Sequence, residues 1–280
     1  MNLAQVDKNT WQRLAIALAI LAGGCAGWLL WIVSGGQWAV AVSGSILGAV
    51  IVGPLIVLLG SVNVKLNFLR GQIRRSHVAL REMTNIRPLL DSPPLDYGNW
   101  AIDPFFGKVL AQLIHRHEST HILECGSGTS TVFMARLQKR VCREGTVTAL
   151  EHLDEYAQKS CQLVEDHGLG EMAEVVFAPL EECEVEGESL TWYGVDPRRF
   201  EENKIDMMVV DGPPHSTGPL ARYPAVFILE PYLSDDCVIV MDDGDRDDEQ
   251  RTARRWADLL GAELEYAGGP KGTYVLRRNR

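Results

Sequence analysis

Beyond about Trp100 the chain alternates short apolar runs with helical stretches, and this alternation limits the possible folds more than any other feature of its 280 residues. Strands are expected over residues 121–125, 146–151, 173–177, 205–211, 237–242, 263–266 and 273–276. Helical spacing of apolar side chains falls between them, around residues 131–139, 155–167, 221–233 and 250–260. Strand and helix in turn argue for an α/β fold, a seven-stranded, mostly parallel sheet with helices on both faces. Residues 181–203, with Trp192-Tyr193-Gly194, fit the alternation poorly and read as an insertion near the ligand side.

Upstream the pattern is different. No charged residue occurs from Leu14 to Val33, nor from Trp38 to Gly60. A helix rises ~1.5 Å per residue, so each stretch is long enough for a ~30 Å hydrocarbon core. Only Ser34-Gly35-Gly36-Gln37 joins them, and the expected element is a two-helix transmembrane hairpin over residues 1–62, with spans of about 14–33 and 38–60. Gly23 with Gly27, and Gly44 with Gly48, would let two backbones approach in lipid. Lys8 and Arg13 precede the first span, and Lys65, Arg70, Arg74, Arg75 and Arg81 follow the second, which places both ends in the cytoplasm. A cleaved signal peptide fits less well, because the apolar run is long and a second one follows directly.

Residues 63–99 form the next expected unit. Leu66, Leu69, Ile73, Leu80 and Met83 recur at roughly helical spacing among the arginines, as in a basic amphipathic helix. Such a helix suits an anionic leaflet, and equally a solvated connector. Pro88 to Pro94 then reads as a linker, and residues 100–280 as the catalytic or binding domain. The formal net charge is -10 with the acidic excess in that domain, where no basic stripe for nucleic acid occurs. Cys25, Cys125, Cys142, Cys161, Cys183 and Cys237 contain no C-x-x-C pair, so neither a zinc site nor a disulfide framework is indicated.

The first strand of the domain runs into Glu124-Cys125-Gly126-Ser127-Gly128-Thr129-Ser130-Thr131. In an open parallel sheet ligands bind beyond the carboxyl ends of the strands, and the first strand-to-helix turn is the usual place. Gly126 and Gly128 permit close approach of a ligand to the backbone, and the helix that follows offers free N–H groups at its start. The third glycine of a dinucleotide fingerprint is replaced by Thr131, which counts against a nicotinamide cofactor. Further acidic or turn-forming residues end the later strands: Glu151 and His152, then Ala178 and Pro179, then Asp211, then Asp242 and Asp243.

In this order the residues resemble the class I S-adenosylmethionine-dependent methyltransferases, a Rossmann-like family, from about Trp100 to the C-terminus. The resemblance implies that Glu124, Gly126, Ser127, Gly128 and Ser130 bind S-adenosylmethionine, with the loop at Gly126 to Gly128 on its methionine part, and Ser130 stands where many members carry another glycine. It implies a ribose contact from Glu151, a position beside the adenine for Ala178, and further cofactor contacts from His152, Pro179 and Asp211. Asp211 with Asp242 and Asp243 is similar to the magnesium site of metal-assisted O-methyltransferases. There a hard cation on carboxylates lowers the pKa of an acceptor hydroxyl and fixes its position. His215 is the candidate base beside Asp211, because an ordinary histidine titrates near working pH.

Plainer readings accompany these. Asp245 to Glu249 reads as a solvated, helix-starting charge run. His115 and His117 precede the first strand and His121 opens it, at the opposite edge of the sheet. Arg222 in "ARYPA" can pair with the acidic loop and is left outside the expected site. The expected protein is a multi-pass membrane enzyme with its catalytic domain in the cytoplasm. Its expected acceptor is a hydroxyl on a glycan, a lipid-linked sugar or a related metabolite. A nicotinamide-dependent oxidoreductase and a membrane scaffold that binds a nucleoside without turnover remain as alternatives.

Overall fold

The computed structural model describes residues 53–86, 102–117, 119–141 and 145–278. The expected first span, the second up to residue 52, the linker at 88–94, Cys25 and Cys142 lie outside them. Among the described residues no helix is long and apolar enough to cross a membrane. The chain divides between His77 and Val78. The one described helix upstream, α1, covers Gly53–Ile86 and takes in the expected basic helix.

The larger part follows the order α2 (Pro104–His117), β1 (His121–Cys125), α3 (Thr129–Val141), β2 (Thr146–Glu151), α4 (Asp154–Asp166) and β3 (Ala173–Phe177). Next come β4 (Leu180–Val185), β5 (Glu188–Tyr193), β6 (Ile205–Val210), α5 (Pro224–Leu229) and β7 (Leu233–Met241). The chain closes with α6 (Asp247–Leu260), β8 (Ala262–Tyr266) and β9 (Tyr274–Arg278). Seven strands form one sheet in the order β3-β2-β1-β6-β7-β9-β8. The five from β3 to β7 are parallel, while β9 runs antiparallel to both its neighbours. The chain moves outward from β1 to β3, then returns to β6 on the other side of β1. The switch between β1 and β6 leaves a crevice at their carboxyl ends, where open α/β sheets take ligands.

Side chains alternate between two cores, as a period of two residues requires. Ile122, Val147, Met207, Val209, Val238 and Val240 face one core with the apolar sides of α2 and α3. Leu123, Cys125, Leu150, Met208, Val210, Ile239 and Met241 face the other, with α5, α6 and the β4–β5 hairpin. Strands buried on both sides carry almost continuous apolar runs, which is why they were visible in the sequence.

One expectation gains detail and another is corrected. The stretch at 181–203 is an antiparallel hairpin followed by a short 3-10 turn at Pro197–Phe200. Glu186 and Gly187 close the hairpin with φ of 52° and 81°, the backbone sign that suits a two-residue turn between twisted strands. The helix expected over 221–233 is shorter. Pro224 starts it, and Pro231 lies in a 3-10 turn, Glu230–Tyr232, that leads directly into β7.

Candidate active site

The rim of the crevice is laced by main-chain hydrogen bonds from strand end to strand end. Gly126 N–H donates to the Leu150 carbonyl at 3.0 Å, and the Cys125 carbonyl accepts from Asp211 at 3.1 Å and Gly212 at 2.7 Å. Asp242 N–H donates to Val210 at 3.1 Å, and Ala178 N–H to Glu151 at 2.8 Å. Gly126, Glu151, Ala178, Asp211 and Asp242 are thereby fixed on one edge of the sheet.

Gly126 and Gly128 have φ of 117° and 135°, values that side-chain-bearing residues rarely adopt. A Cβ on Gly128 would meet nothing within 4 Å, so the loop faces open space there. Glu124 braces the loop from below and is 1% exposed. It accepts hydrogen bonds from the Ser130 hydroxyl and, at 2.5 Å, from Thr131 Oγ1, which itself accepts from Gly128 N–H at 3.0 Å. Burial pushes the Glu124 carboxyl up to about 8, against the pull of those two hydroxyls and with help from Asp211 and Glu151. Ser127 donates to Glu151 Oε2 at 3.0 Å and lies 2.8 Å from the Ser160 hydroxyl. Glu151 Oε1 accepts from Leu153 N–H at 3.0 Å and meets His152 Nδ1 at 2.9 Å.

The acidic side of the rim is a charge network. One carboxylate oxygen from each of Asp211, Asp242 and Asp243 lies within 4.8 Å of the other two. Arg222, 3% exposed, reaches under them. Its Nη1 donates to the Asp242 carbonyl at 2.8 Å, and its Nη2 to the Asp243 carboxylate at 2.9 Å and to the Asp211 carbonyl. Arg246 adds a contact to Asp243 at 2.9 Å and one to Glu249 at 3.4 Å. Lys271, on the turn between β8 and β9, approaches Asp242 at 3.7 Å and Asp243 at 4.0 Å. Its turn is docked by Gly244 N–H on Gly272 and Asp245 N–H on Lys271, both at 2.9 Å.

Four carboxylates here meet three cations. Burial first, and then the neighbouring Asp211, push Asp242 up to about 7 in spite of Lys271. Burial pulls Lys271 down, but Asp242, Asp243 and Asp211 more than reverse this and keep it a cation. The cluster is thus short of positive charge, and Asp211 keeps a side chain 42% exposed. Hard oxygen donors of this kind are those a magnesium ion takes.

Beside the Asp211-Gly212 turn the β4–β5 hairpin ends at Tyr193, which is 4% exposed. A Cβ built on Gly212 would lie 2.3 Å from its hydroxyl, so only glycine fits at that crossing. Burial, with Cys125 and Glu151 nearby, raises the Tyr193 phenol well above its usual range and keeps it protonated.

The remaining expected site residues fall as follows. Ala178 is fully buried, whereas Pro179 is exposed beside it and accepts from Gly194 N–H at 2.7 Å. His215 lies in an exposed 3-10 turn with Nδ1 3.8 Å from Asp248, and no hydrogen bond joins it to the three aspartates. Glu249, expected in a solvated run, is 4% exposed and faces Arg222 and Arg246. Arg222, Lys271 and Tyr193 were not among the expected site residues. The traces in the sequence were Arg222 within reach of an acidic loop, Lys271 in a glycine-rich turn between two strands, and an aromatic pair closing the insertion.

Residues 123–244 match a family model described as "Methyltransferase domain". This stretch is a methyltransferase domain. The match begins in β1 and ends just past Asp243, so it takes in the glycine loop, Glu151 and all three aspartates. No curated protein matches the sequence. Among solved structures, a Klebsiella pneumoniae protein assigned to the O-methyltransferases gives a TM-score of 0.49 at 17% identity, over 74% of this chain and 100% of that one. The O-methyltransferase TomG of Streptomyces achromogenes, bound to S-adenosylmethionine, gives 0.45 at 18% over 72% and 89%. A Bacillus cereus O-methyltransferase with S-adenosylhomocysteine gives 0.45 at 20% over 71% and 90%. None of the three reaches 0.5.

Proposed function

We propose that the domain is an S-adenosylmethionine-dependent O-methyltransferase, held at the cytoplasmic face of a membrane by the uncharged stretches at 14–33 and 38–60. The observation that carries the enzymatic reading is the common rim: Gly126, Glu151 and Asp211 are tied to adjacent strand ends by direct backbone hydrogen bonds. A cofactor with an amino-acid end, a ribose and an adenine needs features in that order along β1, β2 and β3.

When bound, S-adenosylmethionine supplies a methyl group already activated on sulfur, and a magnesium ion supplies Lewis acidity toward an acceptor oxygen. The chain's own residues do the rest. The loop at Gly126–Gly128 offers backbone to the amino-acid end, and Glu151 can exchange its Ser127 contact for ribose hydroxyls. Asp211, Asp242 and Asp243 would hold the metal, with Lys271 and Arg222 limiting the negative charge left over. Without the metal, Asp242, its carboxyl raised by burial, would be the group to take the proton an acceptor hydroxyl must lose. Tyr193 packs against Gly212 and so supports the turn that presents Asp211.

The acceptor in this reading is a hydroxyl of a glycan, a lipid-linked sugar or a related metabolite, since membrane residence concentrates the enzyme on such compounds. Calorimetric titration of the full chain in detergent with S-adenosylmethionine, with and without magnesium, tests the proposal. Absence of binding in both conditions sinks it. Binding that ignores magnesium removes only the metal, and Glu151→Ala should weaken binding at least tenfold.

A further inference from the structure

Helix α1 carries an apolar seam of strict period. Leu55, Leu59, Val62, Leu66, Leu69 and Ile73 follow one another at steps of four and three, and the sequence continues through Ser76 to Leu80 and Met83. Only Ser76 interrupts the repeat. Among the described side chains the seam is open, from 43% exposed at Val62 to 60% at Leu59; Leu55 and Leu59 belong to the apolar stretch that ends at Gly60, so the part beyond the proposed span begins at Val62.

A step of four and three has a mean of 3.5 residues, the period that keeps a seam facing a second helix as the two wind around each other. A helix lying on a leaflet needs something else, a broad apolar face set against a polar one. Here Val64 and Phe68 stand off the seam at 64% and 65% exposure, so the apolar residues are not gathered on one side.

We propose that α1 docks on α1 of a second copy of this chain as a parallel coiled coil, with Leu59, Leu66 and Ile73 at one set of core positions and Leu55, Val62 and Leu69 at the other, the sequence repeat running on to Leu80 and Met83. From Leu55 to Met83 the seam is ~42 Å long and ~10 Å wide, about 400 Å² on each helix as a flat strip. Interlocking side chains carry the accessible area removed toward the ~1,200 Å² at which specific interfaces begin. Arg74, Arg75 and Arg81 fall on outer positions of the repeat. Lys65 and Arg70 are the one like-charged pair that the parallel register brings together, and long side chains at the edge can splay into water. The pairing stands whether or not the domain transfers methyl groups.

The test uses the full chain in native-like membranes with the exposed Cys161 replaced by serine. Single cysteines at Leu66→Cys and Leu69→Cys on the seam are compared with Val64→Cys and Asn67→Cys off it, and each is oxidised mildly. The seam positions should yield covalent dimer at least fivefold above both controls and above the parent. The double variant Leu66→Asp with Leu69→Asp should abolish association measured by light scattering in detergent. Equal trapping on all faces, no trapping at the seam, or unchanged association of the double variant overturns the proposal. A helix laid on an anionic leaflet gives the second of these results.

Discussion

Arg222 Nη2 lies 2.9 Å from the carboxylate of Asp243, and the same guanidinium donates through Nη1 to the main chain of Asp242 at 2.8 Å. One buried cation therefore sets both the charge and the backbone position of the strand end that carries the acidic pair. Asp243 holds a φ of 57° there, a left-handed conformation that has to be held by its partners.

Replacing Arg222 with methionine leaves the buried Asp243 and Glu249 short of their internal cation. Breaking a buried pair from one side costs about 3–5 kcal/mol. Urea denaturation, followed by the fluorescence of the buried Trp192 and Trp256, should show a loss of that size. Lysine at the same position keeps the charge but lacks the planar fork, so it should recover only part of the loss.

Glu124 gives the fold a pH dependence of definite sign. An unfolded chain ionises this carboxyl near 4.5, while the folded one holds its proton to about 8. Between those values the folded state binds more protons, so stability falls as pH rises from about 5 to 8. Asp242 acts in the same direction, from 3.8 to about 7. The contribution of Glu124 is on the order of a few kcal/mol. Denaturation midpoints measured from pH 5 to 8 should decline for the parent and decline less steeply for Glu124→Gln.

Gly212→Ala places a methyl group 2.3 Å from the Tyr193 hydroxyl. Overpacking of this kind costs about 1–3 kcal/mol. Tyr193→Phe removes the obstructing oxygen, so the double variant should be more stable than the sum of the two single changes predicts. A double-mutant cycle with no coupling would mean that the two residues do not share that space in solution.

Asp242→Asn removes a buried charge from the cluster without changing its shape. Any strengthening of S-adenosylmethionine binding by magnesium should disappear, while binding without metal stays within about twofold, as read by calorimetry.

The strands of the parallel sheet were legible because their burial on both sides shows as apolar runs. The bounds of β1, β2 and β3 coincide with the ranges read from sequence. Features that depend on proline placement were less legible: the apolar spacing across 221–233 continues through Pro224 and Pro231, while the helix cannot. The hairpin left a usable trace, two six-residue runs divided by Glu186-Gly187, in the stretch that was read only as an insertion breaking the alternation. At the site, residues that end strands could be read in order, because strand ends follow from strand limits. Lys271 and Tyr193 come from turns and an inserted ribbon, and only tertiary packing brings them to the rim.

The ribbon between β3 and β6 has a consequence for how this site can change. Successive residues of a strand point to opposite sides, so gaining or losing one residue in β5 would turn the phenol of Tyr193 away from Gly212 and present its neighbour instead. Variation in this ribbon is therefore expected by two residues at a time, and descendants of this chain that alter its length by one should have refilled the corner with a different side chain.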